Sequence, residues 1–338
     1  MVKDGVKFLK EGALEGLLKR LSERARVWVP VEATPGVVLW RPWREGEKVR
    51  LDRQGTEPPK HVLFPRSETL LRIYEKEELK IEEVMPQGPS VIFGARPCDV
   101  RGFEVFDQVF GEEDPYYSLR RRETTILTVL CTEPEGTCFC TTVGGGPLEE
   151  KGSDVTFLPI EGGWLAQAVT ERGEEVLRDE AFVEASREQI EKGEQRRKAV
   201  KLDPVVDLSG IPEKFLESFT SDFWRKVTAK CISCGACTFL CPTCYCFNIT
   251  DERTPEGAER LRSWDACMFY HYTLEASGHN PRPTKAERYR NRIGHKFSYH
   301  PSNHGTYGCT GCGRCIKYCP VGMDVREILR ELKEYAEG

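Results

Sequence analysis

The sequence lacks long apolar runs and has no excess of charge of either sign. Its 338 residues carry 49 Lys and Arg against 54 Asp and Glu, which gives a formal net charge of −5. A general nucleic-acid binder is usually basic, so this balance argues against nucleic acid as a partner. No segment is apolar for long enough to span a bilayer, and the charged N-terminus lacks the apolar core of a signal peptide. We therefore expect a cytoplasmic protein that binds neither nucleic acid nor membrane.

Motifs for nucleotide binding and for nucleophilic catalysis are also lacking. The chain has no G-x-G-x-x-G after a strand, no Walker A sequence and no G-x-S-x-G elbow. We predict a catalytic role for none of its 6 histidines. We therefore expect no flavin on this chain and place the flavin and nicotinamide sites on another polypeptide.

What the chain has in quantity is cysteine. Structural disulfides are rare in a reducing cytoplasm, and the number of cysteines, 15, is odd, which suits full disulfide pairing poorly. Thiols this dense in a cytosolic protein usually bind metal. Eight of them form two copies of C-x2-C-x2-C-x3-C-P, the spacing of bacterial ferredoxins that bind [4Fe–4S] clusters. The two copies are Cys231, Cys234, Cys237 and Cys241, and Cys309, Cys312, Cys315 and Cys319.

The spacing also predicts which cysteines share a cluster. Three thiolates on a tight loop wrap one face of a cubane, and the fourth leads into a helix that points away, toward the other cluster. We therefore expect two [4Fe–4S] clusters that exchange their last ligands. Zinc is the alternative, but zinc motifs use cysteine pairs rather than a triplet with a remote Cys-Pro. The predicted ligand sets are Cys231, Cys234, Cys237 and Cys319 for the first cluster, and Cys309, Cys312, Cys315 and Cys241 for the second.

Seven cysteines lie outside these motifs. Those in the N-terminal half follow apolar runs, and ligands gather at strand ends in α/β domains. Three interpretations of this N-terminal set stay open: a third iron–sulfur cluster, a zinc site, and plain buried thiols. The remaining three stay unassigned, either as core side chains or as ligands of another centre with His271. The N-terminal set is Cys98, Cys131, Cys138 and Cys140, and the unassigned set is Cys244, Cys246 and Cys267.

A basic run between the two motifs allows two interpretations. Such a run is usually a solvated surface with ion pairs. Near a cluster, however, cations favour the more negative reduced state and raise its potential, and arginines can also pair with acidic groups of a partner. The run contains Arg282, Lys285, Arg288, Arg290, Arg292 and Lys296.

The hydrophobic pattern predicts two domains. Residues 1–220 are expected to form an α+β or α/β domain that docks a partner, with strands at VIFGA, TILTVL, DVTFLPI and WLAQAV. The segment 201–212 has the prolines and glycine of a linker. Residues 221–338 are expected to form an α-helical ferredoxin-like dicluster domain. Its predicted helices are TPEGAERLRSW, with Thr254 as N-cap, ACMFYHYTLEA, and the amphipathic MDVREILRELKEY.

Several longer runs resemble one family of proteins. WDAC at 264–267, GHNPRPTKAERYRNR at 278–292 and CPTCYC at 241–246 are similar to the iron–sulfur β subunit of soluble NAD(P)-linked [NiFe] hydrogenases, the sulfhydrogenases. The same family includes an iron–sulfur component of anaerobic sulfite reductase and electron-transfer components associated with heterodisulfide reductase. FGARPCDVRG at 93–102 and CTEPEGTCFC at 131–140 extend the resemblance into the N-terminal half.

The resemblance implies a protein without catalytic chemistry of its own. Its relatives relay electrons from or to a subunit that binds flavin and NAD(P). On the other side they serve a catalytic or further iron–sulfur subunit, of hydrogenase, sulfite-reductase or heterodisulfide-reductase type. The other class of function is an enzyme in its own right, a sulfur-compound reductase that uses the unassigned cysteines.

Overall fold

A computed structural model gives the structure of the chain and describes residues 5–75 and 78–335. Within these residues, no helix is both long and apolar enough to cross a membrane. The contacts divide the chain into two compact units. Unit 1 comprises Gln87–Pro204, Thr310–Cys312 and the described part of Met1–Leu63, and unit 2 comprises Phe64–Pro86, Val205–Cys309 and the described part of Gly313–Gly338. The two units divide after Pro204, within the predicted linker 201–212. The predicted domains begin at residue 1 and end at residue 338, and both of these positions lie outside the described residues.

Both strands and helices occur along the described part of the chain. The strands are β1 (Lys7–Lys10), β2 (Arg26–Thr34), β3 (Val37–Pro42), β4 (Ser67–Glu75), β5 (Leu79–Glu83), β6 (Ser90–Ala95), β7 (Thr124–Val129), β8 (Val155–Ile160), β9 (Gly163–Ala168), β10 (Phe182–Glu184), β11 (Phe247–Thr254) and β12 (Gly257–Trp264). The α-helices are α1 (Leu14–Ser22), α2 (Lys60–Leu63), α3 (Pro97–Phe110), α4 (Pro115–Glu123), α5 (Glu171–Val176), α6 (Arg187–Ala199), α7 (Ile211–Glu217), α8 (Phe223–Val227), α9 (Ala236–Phe239), α10 (Lys285–Gly294), α11 (His300–His304), α12 (Arg314–Lys317) and α13 (Val325–Glu334). Short 3-10 turns lie at Glu11–Ala13, Cys140–Val143 and Tyr270–Thr273, and a π turn lies at His295–Tyr299.

Unit 1 is built on a mixed sheet with the strand order β10-β1-β9-β8-β7-β6-β2-β3. Strands β2, β6, β7 and β8 are parallel to one another, and the other pairings are antiparallel. The mixed α/β prediction for the N-terminal half is therefore confirmed, as are the four predicted strands. Because neighbouring parallel strands end at the same edge, Cys98 after β6 and Cys131 after β7 both lie toward that edge.

Unit 2 contains a four-stranded antiparallel sheet in the order β11-β12-β4-β5. The predicted helix TPEGAERLRSW is wrong, because this segment forms a hairpin turn and strand β12, with Thr254 paired to Gly257. Strand β12 also pairs with β4, a distant segment, and Arg262 on β12 forms an ion pair with Glu68 on β4 at 2.6 Å. These long-range partners override the local helix signal, so unit 2 is mixed rather than wholly helical.

The other two predictions for helices in unit 2 have different outcomes. In ACMFYHYTLEA only Tyr270–Thr273 is helical, as a single 3-10 turn, so a full helix there is wrong. The final amphipathic helix is confirmed as α13. Its buried side chains are the four predicted ones, Val325, Ile328, Leu329 and Leu332.

Replacing Arg262 by methionine should strongly destabilise unit 2. Both side chains of the Arg262–Glu68 pair are buried, and the guanidinium also lies 4.9 Å from the ring of Phe64. Methionine keeps the apolar contact but leaves the Glu68 carboxylate without its arginine. Breaking a buried pair in this way costs about 3 to 5 kcal/mol. The measurement is urea denaturation of the anaerobic protein, followed by tryptophan fluorescence.

The matched control for this change lies on the same strand. Arg260 forms an ion pair with Asp251 in which both side chains are exposed. Exposed pairs contribute only about 0.2 to 1 kcal/mol, so Arg260→Met should barely change the denaturation midpoint. Equal shifts for the two variants would show that burial of the Arg262 pair is not what matters.

Candidate metal centre

The two cysteine motifs have the same local structure in unit 2. In each, a glycine in the left-handed region starts a four-residue helix, Gly235 with φ 76 before α9 and Gly313 with φ 75 before α12. Cys237 and Cys315 occupy equivalent positions in these two helices. Helices α9 and α12 pack against each other. The repeat seen in the sequence is therefore also a repeat of backbone conformation.

The start of the first motif meets the end of the second. The ammonium of Lys230, which precedes Cys231, donates to the carbonyl of Gly322 at 2.7 Å. At the same place the backbone N–H of Met323 donates to the sulfur of Cys319 at 3.2 Å. Hydrogen bonds to sulfur are a usual feature of cluster ligands, where they stabilise the thiolate. These contacts bring Cys319 close to the segment that begins with Cys231.

The end of the first motif meets the start of the second through Lys296. Its ammonium donates to the sulfur of Cys241 at 3.3 Å and to the carbonyl of Gly308 at 2.8 Å. The hydroxyl of Thr243 also donates to the Gly308 carbonyl, at 2.8 Å. Because Gly308 directly precedes Cys309, these bonds hold Cys241 beside the first cysteine of the second motif.

The basic run is divided by the structure into two groups. Arg288, Arg292 and Lys296 are buried, and they recur at intervals of four residues. The other three, Arg282, Lys285 and Arg290, are partly exposed. The surface interpretation therefore fits only the second group. This division was not predicted from the sequence, although a spacing of four residues, which places side chains on one face of a helix, indicates it.

Two of the buried cations, Arg292 and Lys296, contact cysteine sulfur atoms. The Arg292 guanidinium donates to the sulfur of Cys244 at 3.2 Å and to the carbonyl of Cys237 at 2.6 Å. Burial alone would lower the pKa of Arg292 and of Lys296, but the nearby thiols raise both pKa values above their ordinary range. Within the described part of the chain, neither cation has a carboxylate partner. Buried cations need an opposite charge, so this donor set fits an anionic iron–sulfur cluster.

Two of the unassigned cysteines lie at the base of the β11–β12 hairpin. Cys246 precedes β11 and Cys267 follows β12, so the paired strands bring them together. A hydrogen bond between the two thiols lowers the pKa of Cys246 and raises the pKa of Cys267. The hydroxyl of Thr238 lies 3.8 Å from the Cys267 sulfur. His271, the suggested fourth ligand, packs its ring edge-on against Tyr270. The pair thus has partners of its own, and a ligand role for it stays a hypothesis.

Three thiols of the predicted N-terminal set come together in unit 1. Burial, together with the neighbouring thiols, raises the pKa of Cys138 to about 11 and the pKa of Cys140 to about 12, and Cys131 is among the neighbours of both. Cys98 lies in the first turn of α3, where the Gln54 side-chain amide donates to its sulfur at 3.2 Å. Three of the four predicted cysteines therefore lie close together. A ligand role for the fourth, Cys98, stays a prediction.

A loop of the second motif belongs to unit 1 and contacts this N-terminal set. The backbone N–H of Phe139 donates to the carbonyl of Gly311 at 2.8 Å. A Cβ at Gly311 would lie 2.5 Å from the backbone nitrogen of Cys140, so only glycine allows this approach. As a result, the sulfur of Cys138 lies 3.9 Å from the carbonyl oxygen of Cys312.

A site for a single metal ion needs at least three ligand side chains close together. Among residues 5–75 and 78–335, no three histidine, cysteine, aspartate or glutamate side chains are arranged to hold one metal ion. A four-iron cubane is not such a site, because its thiolates bind different iron atoms.

Comparisons with known proteins bear on both motifs. A protein-family model described as "4Fe-4S dicluster domain" matches residues 230–323. The chain is 32% identical over 326 residues to "Sulfhydrogenase 2 subunit beta" of Pyrococcus furiosus, and the alignment covers 93% of this chain and 94% of that protein. No solved structure matches the chain. The similarity thus includes both cysteine motifs and nearly the whole length.

Proposed function

The chain belongs to the iron–sulfur β-subunit family of the sulfhydrogenases, and from this membership we propose that it is an electron-transfer subunit of a multi-subunit oxidoreductase. The observation that carries the proposal is the way the two cysteine motifs meet end to start, through Lys230 with Gly322 and through Lys296 with Gly308. Two clusters bound by such interlocked motifs are close neighbours. Neighbouring one-electron carriers are suited to relaying electrons.

The same contacts support the exchange of last ligands between the clusters. The bond from Lys230 to the carbonyl of Gly322 supports a shared cluster for Cys319 and the first motif, and the bonds from Lys296 to Cys241 and Gly308 support one for Cys241 and the second motif. When bound, each cluster supplies a carrier for one electron. The chain itself holds the clusters by thiolates, donates N–H bonds to sulfur and excludes water. The proposed ligands are Cys231, Cys234, Cys237 and Cys319 for the first cluster, and Cys309, Cys312, Cys315 and Cys241 for the second.

The first cluster is proposed to lie nearer the protein surface. Cys234 is exposed, whereas Cys241 and Cys309 are buried. Near Cys234, the apolar residue Ile232 is 61% exposed. Such a site suits the exchange of electrons with a partner subunit. Electron transfer needs a short distance between donor and acceptor, and apolar contact surfaces let two subunits approach without charge repulsion.

A third iron–sulfur cluster in unit 1 is part of the proposal. Cys131, Cys138 and Cys140 are close neighbours, and Cys98 follows the adjacent parallel strand. The contact between Cys138 and Cys312 supports this assignment, because it places a proposed ligand of the second cluster beside the N-terminal thiols. A cluster on these thiols would therefore extend the electron path.

The proposed partners are a flavin- and NAD(P)-binding subunit on one side and a catalytic or further iron–sulfur subunit, of hydrogenase type, on the other. The name of the relative, which is part of a sulfhydrogenase, supports the hydrogenase type. The chain is proposed to act in the cytoplasm and to carry no flavin itself.

The test uses the full chain purified without oxygen. We expect a brown protein with about eight iron atoms, or about twelve if the N-terminal set is loaded. Dithionite should bleach its visible absorption and produce EPR signals of reduced clusters. The isolated chain should reduce neither sulfite, polysulfide nor disulfide, whereas hydrogen-dependent reduction of NAD(P) should require it in the assembled complex. A colourless chain would refute the proposal, and turnover of a sulfur compound by the chain alone would favour the reductase alternative.

A further inference from the structure

Lys296 lies at an irregular point of its helix. It belongs to the π turn His295–Tyr299, which joins α10 to α11. Such π turns occur mostly as single insertions into α-helices, frequently at functional sites. The approach of the second motif to this turn is tight, because a Cβ at Gly308 would lie 3.2 Å from the Cα of Lys296. The backbone around the lysine is thus closely fixed.

The ammonium of Lys296 is completely satisfied inside the protein. The side chain is 6% exposed, and its three donors reach the sulfur of Cys241 at 3.3 Å, the hydroxyl of Thr243 at 2.7 Å and the carbonyl of Gly308 at 2.8 Å. Two of these partners are neutral. Only the sulfur of Cys241 can carry the negative charge that a buried ammonium requires.

Arg292 lies one helical turn before Lys296, and its sulfur contact is with a cysteine outside the proposed ligand sets. It is 5% exposed and donates to the sulfur of Cys244, which belongs to neither proposed ligand set. Its second contact is a backbone carbonyl, that of Cys237. Arg292 therefore adds positive charge to the same region, while Lys296 alone of the two contacts a proposed ligand sulfur.

We propose that Lys296 is the positioning residue that sets the reduction potential of the cluster bound through Cys241, an inference that rests on the proposed function. With a cluster bound through Cys241, one electron from a redox partner subunit would add one negative charge beside this sulfur, and no bond would break and no proton would move. The fixed ammonium stabilises that charge, and little water is present to screen it. The reduced state gains more than the oxidised state, so the potential of this cluster is raised.

The experiment compares three variants of the full chain, each purified without oxygen. Lys296→Met removes the charge and keeps the length, and Lys296→Arg keeps the charge. Arg290→Met is the matched control, because Arg290 lies on α10, which leads into the π turn, and its guanidinium contacts Phe219, at 3.8 Å from the ring centroid and 2.6 Å from the carbonyl. Iron content is measured first, and the midpoint of each cluster is then measured by EPR during titration with dithionite.

Lys296→Met should retain its iron and lower one midpoint. The ratio of reduced to oxidised cluster at a fixed potential should fall at least about tenfold, which is about 59 mV for a one-electron couple. The midpoint of the other cluster should shift less. Lys296→Arg should restore most of the change, and Arg290→Met should leave both midpoints where they are in the wild type.

Several outcomes would overturn the role of Lys296. One is an unchanged midpoint in a Lys296→Met protein with full iron content. If that variant loses iron, Lys296→Gln is measured instead, because glutamine is neutral but can still hydrogen-bond. Loss of the cluster from both neutral variants would show that Lys296 holds the cluster and does not tune it. A wild-type chain without cluster signals would contradict the proposed function itself, which separates that failure from failure of this inference.

Discussion

Removing Cys231 and Cys319 together should cost no more iron than removing either one alone. Each single change to alanine is expected to eliminate about four iron atoms, because a four-iron cubane that loses one thiolate is unstable. If both cysteines hold the same cluster, the second change removes nothing further. The structure supports this pairing through the bond from Lys230 to Gly322, which joins the two ends of the motifs. The measurement is iron and sulfide content, with EPR of the reduced protein.

A second pair of changes gives the opposite expectation. Cys315 and Cys319 lie in one motif, yet they are proposed to serve different clusters. The double variant Cys315→Ala with Cys319→Ala should therefore lose about eight iron atoms. Cys267→Ala is the matched control, because this cysteine is also buried in unit 2 but bonds to Cys246. The Cys267→Ala variant should retain the iron content of the wild type.

The two double variants decide between exchanged and unexchanged ligands. If each motif bound its own cluster, the double change at Cys315 and Cys319 would remove only about four iron atoms, and the double change at Cys231 and Cys319 about eight. That result would contradict the ligand sets proposed for this chain. Non-additive losses are informative here because residues that act as one unit fail together.

The cysteine motifs could be identified from sequence because their chemistry is local. Ligand spacing, the proline after the fourth cysteine and the glycines all lie within about a dozen residues. In the structure, Gly235 and Gly313 adopt nearly the same left-handed conformation, which a local pattern can specify. Strands β6, β7, β8 and β9 of unit 1 were likewise predictable, since each is a short, mostly apolar run.

The β11–β12 hairpin could not be predicted in this way. Its sequence has good helix signals, Thr254 followed by Pro255, but these describe only the chain's local preference. The hairpin is decided by β4, whose residues lie far away in the sequence, and by the buried pair of Arg262 with Glu68. A window of neighbouring residues contains none of this information.

The role of Lys296 was also hidden by distance along the chain. The sequence offered a surface interpretation and a cluster interpretation for the whole basic run, and both were reasonable. Only the structure places the ammonium between Cys241 and Gly308, residues on either side of the run that are far from each other in sequence. Which of six cations is buried depends on that packing.

Replacing Cys131 by alanine should remove about four iron atoms from a chain that otherwise holds about twelve. Cys131 is a neighbour of both Cys138 and Cys140, and burial is the largest cause of the raised pKa of its thiol. Burial makes a free thiolate costly, so three such thiols side by side gain most when metal replaces their protons. The EPR signals of the two clusters in the ferredoxin-type motifs should persist, because their ligands are unchanged.

Two further variants test whether the iron lost from Cys131→Ala belongs to a cluster shared with Cys138. Cys131→Ala combined with Cys138→Ala should lose no more iron than Cys131→Ala alone, since both thiols serve one cluster. Thr132→Ala, the change next in the chain, is the matched control and should retain all of its iron. A wild-type chain with about eight iron atoms, unaffected by Cys131→Ala, would show that the N-terminal thiols hold no cluster. A loss in Cys131→Ala, Cys138→Ala and Cys140→Ala, with Cys98→Ala unaffected, would retain the third cluster but exclude Cys98 as its fourth ligand.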